Sequence, residues 1–208
     1  MTNVAIFVSG TGTNCVNLIQ HFRSSEKVKI SLVLSNKADA PALAKARALG
    51  VHAEVLSRRD FESGVLPLMR SRGIDFIILA GFLLKVPDCL IEAYPRRIIN
   101  IHPALLPKFG GVGMYGHHVH EAVKAAGEAE TGMTVHYVNG VMDGGEIIAQ
   151  FSCPLDPSDT PDDIAAKEHV LEMAHFPSVA EAVIEETFYS HTARGDDRGT
   201  RRAVGWRV

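Results

Sequence analysis

Hydrophobic residues along the chain occur either in short continuous runs or at every third or fourth position. A continuous apolar run that ends at glycine is typical of a strand buried on both faces, and the second spacing is typical of a helix. The runs predict five strands before residue 102, at 3–9, 28–35, 51–56, 75–81 and 96–101. Helical segments separate them, and Asp39 is predicted to cap the second helix. This alternation predicts a doubly wound α/β domain with a mostly parallel sheet.

The pattern changes after residue 110. Residues 131–138 and 145–152 predict a hairpin-like pair of strands, and a long helical stretch follows from Pro161 to about Thr187. No internal repeat or linker interrupts the chain, so residues 1–190 are predicted to form one domain whose elaborated C-terminal third ends in a long helix. Residues 191–208 carry five arginines, two aspartates and few core-forming residues, which predicts a basic, solvated tail.

Composition narrows the classes of partner. A net charge of −3 and a pI near 6.4 give no electrostatic case for a nucleic acid or an acidic membrane as partner. The three cysteines are odd in number and form no C-x-x-C pair, which favours a reducing compartment over a disulfide framework or a zinc site. Residues 1–10 reach Ser-Gly too early for a signal peptide, and no apolar run is long enough to span a membrane. We therefore expect a cytoplasmic protein.

The segment "SGTGTN", residues 9–14, follows the first predicted strand and precedes a helix. Glycines in such a turn let backbone N–H groups approach a phosphate, and the helix N-terminus adds positive potential. The dinucleotide fingerprint requires a third glycine where Cys15 stands, and the Walker pattern is absent. The segment thus predicts either a site for one small phosphate or an ordinary tight turn.

Three polar side chains interrupt apolar surroundings further along. Asn100 and His102 stand two residues apart at the end of the fifth predicted strand, so their side chains share one face. Asp143 precedes two glycines in "VMDGGEII", where a carboxylate could orient or charge a histidine. The alternatives are an Asn and a His that bond the following turn, and an Asp that bonds its own backbone.

A group of four histidines invites the hypothesis of a metal site: His117, His118, His120 and His136. No cysteine accompanies them, and the nearby acids lack a familiar ligand spacing. We therefore expect no metal, and expect these histidines on a helix surface and in loops.

Five segments together resemble one family. "SGTGTN", "SNKADA", "LAGFL", "INIHPALLPKF" and "MDGGEII" occur in the order and at nearly the spacing of the glycinamide ribonucleotide formyltransferases, the folate-dependent enzymes of purine synthesis. The resemblance covers roughly residues 3–185. It implies a formyltransferase fold with a Rossmann-like N-terminal half, acting on small molecules as a monomer or weak homodimer.

The resemblance also implies residue roles. Asn100, His102 and Asp143 stand at the catalytic positions, where they would stabilise the tetrahedral intermediate, with His102 protonated. The remaining roles fall on two groups: Gly12, Thr13, Asn14 and Glu172 for the ribonucleotide, and Leu83, Leu84, Lys85 and Val86, with Asn100, for 10-formyltetrahydrofolate as co-substrate.

Three departures from the family accompany these roles. Gly64 stands where an arginine often meets the folate tail, so either Arg58 or Arg59 substitutes or the contact is absent. The loop in residues 108–118 is long, and the tail of residues 191–208 has no counterpart. The open alternatives are a formyltransferase for another amine and a non-catalytic folate- or nucleotide-binding module.

Overall fold

A computed structural model describes residues 1–190 of the 208-residue chain. Seven strands form one sheet in the order β3-β2-β1-β4-β5-β6-β7. Neighbours among the first five strands pair in parallel, whereas β6 pairs antiparallel with both β5 and β7. The strands are β1 Thr2–Val8, β2 Val28–Ser35, β3 Ala53–Val55, β4 Phe76–Leu79, β5 Ile98–His102, β6 Glu130–Tyr137 and β7 Ile147–Pro154. The predicted α/β class and mostly parallel sheet are confirmed.

Six α-helices connect or flank these strands within residues 1–190: α1 Thr13–His21, α2 Pro41–Ala48, α3 Arg58–Ser71, α4 Asp88–Ala93, α5 His117–Ala125 and α6 Pro161–Phe188. The long helix α6 agrees with its prediction, and it begins with a capping box between Thr160 and Asp163. The prediction that Asp39 caps α2 is wrong: Ala40 occupies that position without a side-chain hydrogen bond, and Pro41 starts the helix with a preset φ angle.

Several strands are shorter than their apolar runs. The third strand keeps only residues 53–55 of the predicted 51–56, because it is an edge strand that pairs with Val33–Ser35 of β2, and β2 ends at Ser35. The fifth strand begins at Ile98, since Arg96 has a φ angle of 54° and therefore turns the chain before pairing starts. It also extends to His102, one residue beyond the prediction.

Two hydrophobic cores lie on opposite faces of the sheet. One contains buried residues of α1, α2 and α6, including Leu18, Leu43 and Phe176. The other contains buried residues of α3 and α4, including Val65 and Leu90. Covering both faces explains why β1, β2 and β4 are almost wholly apolar.

The order of the parallel strands reverses between β1 and β4, and ligands of open α/β sheets bind outside the carboxyl ends of strands at such a point. A ligand site is therefore expected among the loops after β1, β4 and β5. None of the helices in residues 1–190 has the length and apolar character needed to cross a bilayer.

Candidate active site

A cavity of about 500 Å³ opens at the carboxyl ends of β1, β4 and β5. Its walls also include the start of α1, one side of α6, α5 and the loop between β6 and β7. The sequence-predicted site residues all line this cavity: Gly12, Thr13, Asn14, Leu83, Leu84, Lys85, Val86, Asn100, His102, Asp143 and Glu172. Residues separated by up to 160 positions therefore meet in one place because the sheet brings its strand ends together.

One end of the cavity is built from the backbone around Gly12. This glycine has a φ angle of 75° and stands directly before α1, whose first turn has neither an acidic residue nor a side-chain cap. A Cβ atom at Gly12 would lie 2.4 Å from the Cβ atom of Ala42 on α2, so only glycine fits. The free N–H groups and the positive end of α1 suit an anion such as a phosphate ester.

Asn100, on β5, lies at the centre of a polar cluster. Its Nδ2 atom is 3.1 Å from Nε2 of His136 and 3.4 Å from Oδ1 of Asp143. Nδ1 of His136 lies 2.9 Å from the carbonyl oxygen of Tyr137, so that nitrogen carries the hydrogen and Nε2 accepts from Asn100. The longer bond to Asp143 is the weaker one, and its N–H can be redirected towards a ligand.

His102 is buried beside the cluster, with 3% of its surface exposed. Its Nε2 atom is 2.7 Å from the carbonyl oxygen of Phe109, to which it donates, and its Nδ1 atom is 3.6 Å from Oδ2 of Asp143. Burial lowers the pKa of His102 below its usual value, and this effect outweighs Asp143 and the Phe109 carbonyl, which raise it. The resting imidazole is therefore neutral near pH 7, which differs from the expected imidazolium.

Asp143 is held in place from several sides. It has a φ angle of 53°, and its Oδ2 atom accepts a hydrogen bond of 2.9 Å from the backbone N–H of Gly111. Burial raises the pKa of Asp143, but the nearby imidazoles of His136 and His102 and the Gly111 N–H together hold it below its usual value. The carboxylate therefore stays ionised, in a backbone conformation that costs free energy for a residue with a side chain.

The two glycines after Asp143 allow this close approach. A Cβ atom at Gly145 would lie 1.6 Å from the carbonyl oxygen of Tyr137, and one at Gly144 would lie 2.7 Å from Cγ1 of Val141. The glycines thus let the loop between β6 and β7 fold tightly against β6, which carries Asp143 over the end of β5.

Glu172, on α6, lines the cavity beside the backbone turn at Gly12. Its Oε2 atom accepts hydrogen bonds of 2.8 Å from Nδ2 of Asn14 and 3.2 Å from Nδ1 of His169. Burial raises the pKa of Glu172, and these two donors oppose that rise. Sequence reasoning missed its neighbour Glu168, which is 3% exposed and lines the same cavity. The i, i+4 spacing from Glu172 was the signal that could have identified it.

The opposite wall is apolar. Leu84, Val86 and Val138 line it together with the backbone after β4. Lys85 is the one lysine or arginine that lines the cavity within residues 1–190, and its side chain is 59% exposed. Gly64 lies in α3 against Leu56, and neither arginine proposed to replace it, Arg58 or Arg59, contributes to the cavity.

The four histidines do not gather at one point. His117 and His118 are exposed on α5, as expected. The expectation is wrong for His120, which is buried on α5, and for His136, which lies within β6 and belongs to the polar cluster. Burial lowers the pKa of His120 to about 4. In the part of the chain that the structure describes, no three His, Cys, Asp or Glu side chains lie close enough to hold a metal ion.

The sequence is similar to a known protein family over most of its length. The model of the formyl transferase family matches residues 2–180, which is most of the chain. The chain belongs to the formyl transferase family. The matched range includes every predicted site residue and both halves of the sheet, so the family and fold predicted from the sequence are confirmed.

Relatives within the formyl transferase family are similar over most of the chain. The phosphoribosylglycinamide formyltransferase of Haemophilus influenzae is 33% identical over 186 residues, which cover 86% of this chain and 85% of the relative. The chloroplastic phosphoribosylglycinamide formyltransferase of Arabidopsis thaliana is 37% identical over 191 residues, which cover 88% of this chain. The chain spans only 65% of that plant protein's length.

Solved structures of the family agree. Phosphoribosylglycinamide formyltransferase from Brucella melitensis has a TM-score of 0.80 at 35% identity and covers 88% of this chain and 95% of its own. Glycinamide ribonucleotide transformylase 1 from Geobacillus kaustophilus has a TM-score of 0.81 at 32% identity, with 88% and 99% covered. These structures therefore share the fold over most of the chain.

Proposed function

We propose that this chain transfers the formyl group of 10-formyltetrahydrofolate to the amine of glycinamide ribonucleotide, a step of purine biosynthesis. The observation that carries the proposal is that one cavity joins an anion-binding helix start to the Asn100, His102 and Asp143 cluster. A phosphorylated amine could bind with its phosphate at Gly12 and its amine near this cluster. The names of its bacterial and plant relatives support the same reaction.

The polar cluster supplies two kinds of chemistry. Asn100 can turn the N–H of its long bond to Asp143 towards the negative charge that develops on the formyl oxygen. The neutral His102 and the ionised Asp143 lie 3.6 Å apart, so this pair can collect the proton that the attacking amine loses. As the proton arrives, His102 becomes a cation that Asp143 stabilises. The tetrahedral intermediate then breaks the bond between the formyl carbon and N10 of the folate, and the proton passes to N10, so tetrahydrofolate leaves and no covalent bond between enzyme and substrate is needed.

The apolar wall fits the pterin ring of a folate. Leu83, Leu84 and Val86 follow β4 and face the cavity together with Val138, while backbone groups in residues 138–143 offer hydrogen bonds. The bound folate would supply the formyl carbon. Lys85 stands at the exposed end of this wall, where a cation suits the carboxylates of the folate tail.

The ribonucleotide would occupy the other end of the cavity. Gly12, Thr13 and Asn14 would hold its phosphate through backbone N–H groups, and Glu172 would receive its amine. The proposal includes no metal, no nucleic acid and no membrane as partner, a cytoplasmic location, and a monomer or weak homodimer. Residues 1–190 would act as a single catalytic domain.

A formyl-transfer assay tests the proposal. Purified protein is given 10-formyltetrahydrofolate with glycinamide ribonucleotide, with an amino sugar nucleotide, or with methionyl-tRNA, and formylated product is measured by mass spectrometry. We expect transfer to the ribonucleotide alone. Preferred transfer to another acceptor would replace the proposed substrate. Folate binding with no transfer to any acceptor would instead support a non-catalytic binding module.

A further inference from the structure

Glu168 is a buried acid that the proposed reaction does not use. It lies on α6, one helical turn before Glu172, and 3% of its surface is exposed. Its Oε1 atom is shielded from solvent and accepts no hydrogen bond from the described residues. An ionised carboxylate in such surroundings would leave an uncompensated charge, which is costly, so Glu168 must keep its proton.

Glu168 and Glu172 are four residues apart on α6, so their side chains are neighbours on one face of the helix, and both line the cavity. Two neighbouring carboxylates without a proton would repel, whereas one shared proton makes the contact attractive. We propose that Glu168 is a positioning residue that stays protonated and donates a hydrogen bond to Glu172, which fixes the Glu172 carboxylate at the wall of the substrate cavity.

This arrangement gives Glu172 three donors: Glu168, Asn14 and His169. Asn14 also belongs to the backbone turn that begins α1, so the orientation of Glu172 is tied to the anion-binding end. A neutral Glu168 limits the wall to one negative charge. A second negative charge there would repel a phosphate ester, because the cavity wall is only partly hydrated.

Other titratable groups surround Glu168. Glu172 and His169 lie on the same helix, His120 faces the cavity from α5, and Cys153 approaches from β7. Burial lowers the pKa of His120 to about 4 and raises the pKa of the Cys153 thiol, so both are neutral between pH 6 and 8. Burial also raises the pKa of Glu168 well above its usual value, and the charge of Glu172 raises it further.

The substrate named here rests on the proposed function, but the protonation of Glu168 does not. Infrared spectroscopy of the protein without substrate should therefore come first. We expect the C=O band of a protonated carboxyl group at pH 7 in the unchanged chain. The band should be absent from Glu168→Gln and present in the control Glu186→Gln, which changes an exposed acid on the same helix. A band that persists in Glu168→Gln would overturn the inference even if the enzyme formylates its substrate.

Kinetics then separate positioning from a merely structural role. Glu168→Gln keeps a neutral donor, so the KM for glycinamide ribonucleotide should stay unchanged at pH 7. Glu168→Leu removes the donor and should raise that KM about tenfold, as expected for one lost hydrogen bond to a charged group. The KM for folate should not change in either variant. An unchanged ribonucleotide KM in Glu168→Leu, or an equal loss in both variants, would contradict the inference.

The pH profile supplies a second readout that remains available if Glu168→Leu does not fold. In the unchanged chain, ribonucleotide affinity measured by calorimetry should fall as alkaline pH removes the shared proton. Glu168→Gln should lack this fall, whereas His169→Asn should keep it, since the proton does not reside on His169. If the alkaline fall persists in Glu168→Gln and disappears in His169→Asn, the ionisation belongs to His169 and the inference is wrong.

Discussion

The two ends of the cavity are built in different ways. The end proposed to bind the phosphate is built from backbone: a left-handed glycine, the start of α1 and the approach of α2. The end proposed to be catalytic uses side chains from β5, β6 and the loop that follows, and their geometry depends on the antiparallel pairing of β5 with β6. Backbone sites fix position and shape, whereas buried side chains additionally set protonation. The first end is therefore suited to binding, and the second to catalysis.

The largest effect should come from the catalytic end. His102→Ala and Asp143→Asn should each lower kcat by about 10²–10³-fold, because each removes a group that acts on developing charge or on the transferred proton. Folate affinity, measured by calorimetry, should change little. His52→Ala is the matched control, since His52 is exposed and pairs with Glu54 away from the cavity. Near-normal kcat in either site variant would show that its residue has no role in catalysis.

Substitution at the phosphate-binding end should affect binding more than turnover. In Gly12→Ala, the new Cβ atom would lie 2.4 Å from Cβ and 2.9 Å from Cα of Ala42, so α2 or the turn must move. We expect a rise in ribonucleotide KM of about tenfold or more and a loss of stability of about 2–3 kcal/mol. Calorimetry and chemical denaturation measure the two effects.

Gly50→Ala separates the clash from backbone strain. Gly50 has a φ angle of 79°, similar to that of Gly12, but a Cβ atom there meets nothing within 4 Å. This control should lose only about 1–2 kcal/mol of stability and keep its KM. Equal losses of stability and affinity in both variants would mean that strain, and not the contact with Ala42, explains the effect.

A smaller effect is the pH dependence of stability caused by Glu168, in the wall between the two ends of the cavity. Burial raises the pKa of Glu168 in the folded state. The neutral carboxyl group is therefore compatible with folding at low pH, and stability is lost as pH rises from the pKa that Glu168 has in the unfolded chain towards its higher folded-state pKa. Glutamine cannot ionise. The melting temperature of Glu168→Gln, compared with that of the unchanged chain at the same pH, should therefore increase as pH rises from about 5 to about 8. Calorimetric melting at several pH values measures the difference, and a constant difference would contradict it.

The sequence predicts the backbone end better than the catalytic end. Gly12 follows a continuous apolar run, so the turn and its position at the carboxyl end of β1 can be read from local pattern alone. At the other end of the cavity, only the shared strand face of Asn100 and His102 can be predicted from local pattern. The contribution of His136 could not be read in this way, because it depends on the register that places His136 opposite Asn100.

The protonation states of His102 and Glu168 are harder to predict from the sequence than the positions of the site residues. The expected imidazolium at His102 relied on Asp143, yet burial dominates and the carbonyl of Phe109 occupies Nε2. Phe109 turns that carbonyl inward with a φ angle of 54°, which no residue preference signals. Similarly, Glu168 looks like any surface acid in a helical sequence, and only the packing of α6 against the sheet buries it. Burial depends on tertiary packing, so the pKa shifts that burial causes cannot be predicted from the local sequence pattern.

The smallest effect should come from removing residues 191–208, which lie outside the described residues. Every proposed site residue precedes residue 173, and the end of α6 is already secured because the Tyr189 hydroxyl donates to the carbonyl oxygen of Lys27 over 2.7 Å. Truncation after Ser190 keeps this contact. We expect kcat to remain unchanged at physiological salt, where the Debye length of about 8 Å screens the basic tail from anionic substrates.

At low salt, the same truncation could raise KM slightly, because five arginines and two aspartates give the tail a net charge of +3 that attracts anions. The control is a full-length chain in which the five arginines of the tail are changed to glutamine and its two aspartates to asparagine, which leaves the tail uncharged and should match the truncated enzyme at every salt concentration. A truncated protein that melts normally but loses folate affinity at high salt as well would show that the tail completes the folate end of the cavity. In that case, the tail would supply the contact that Gly64 cannot make.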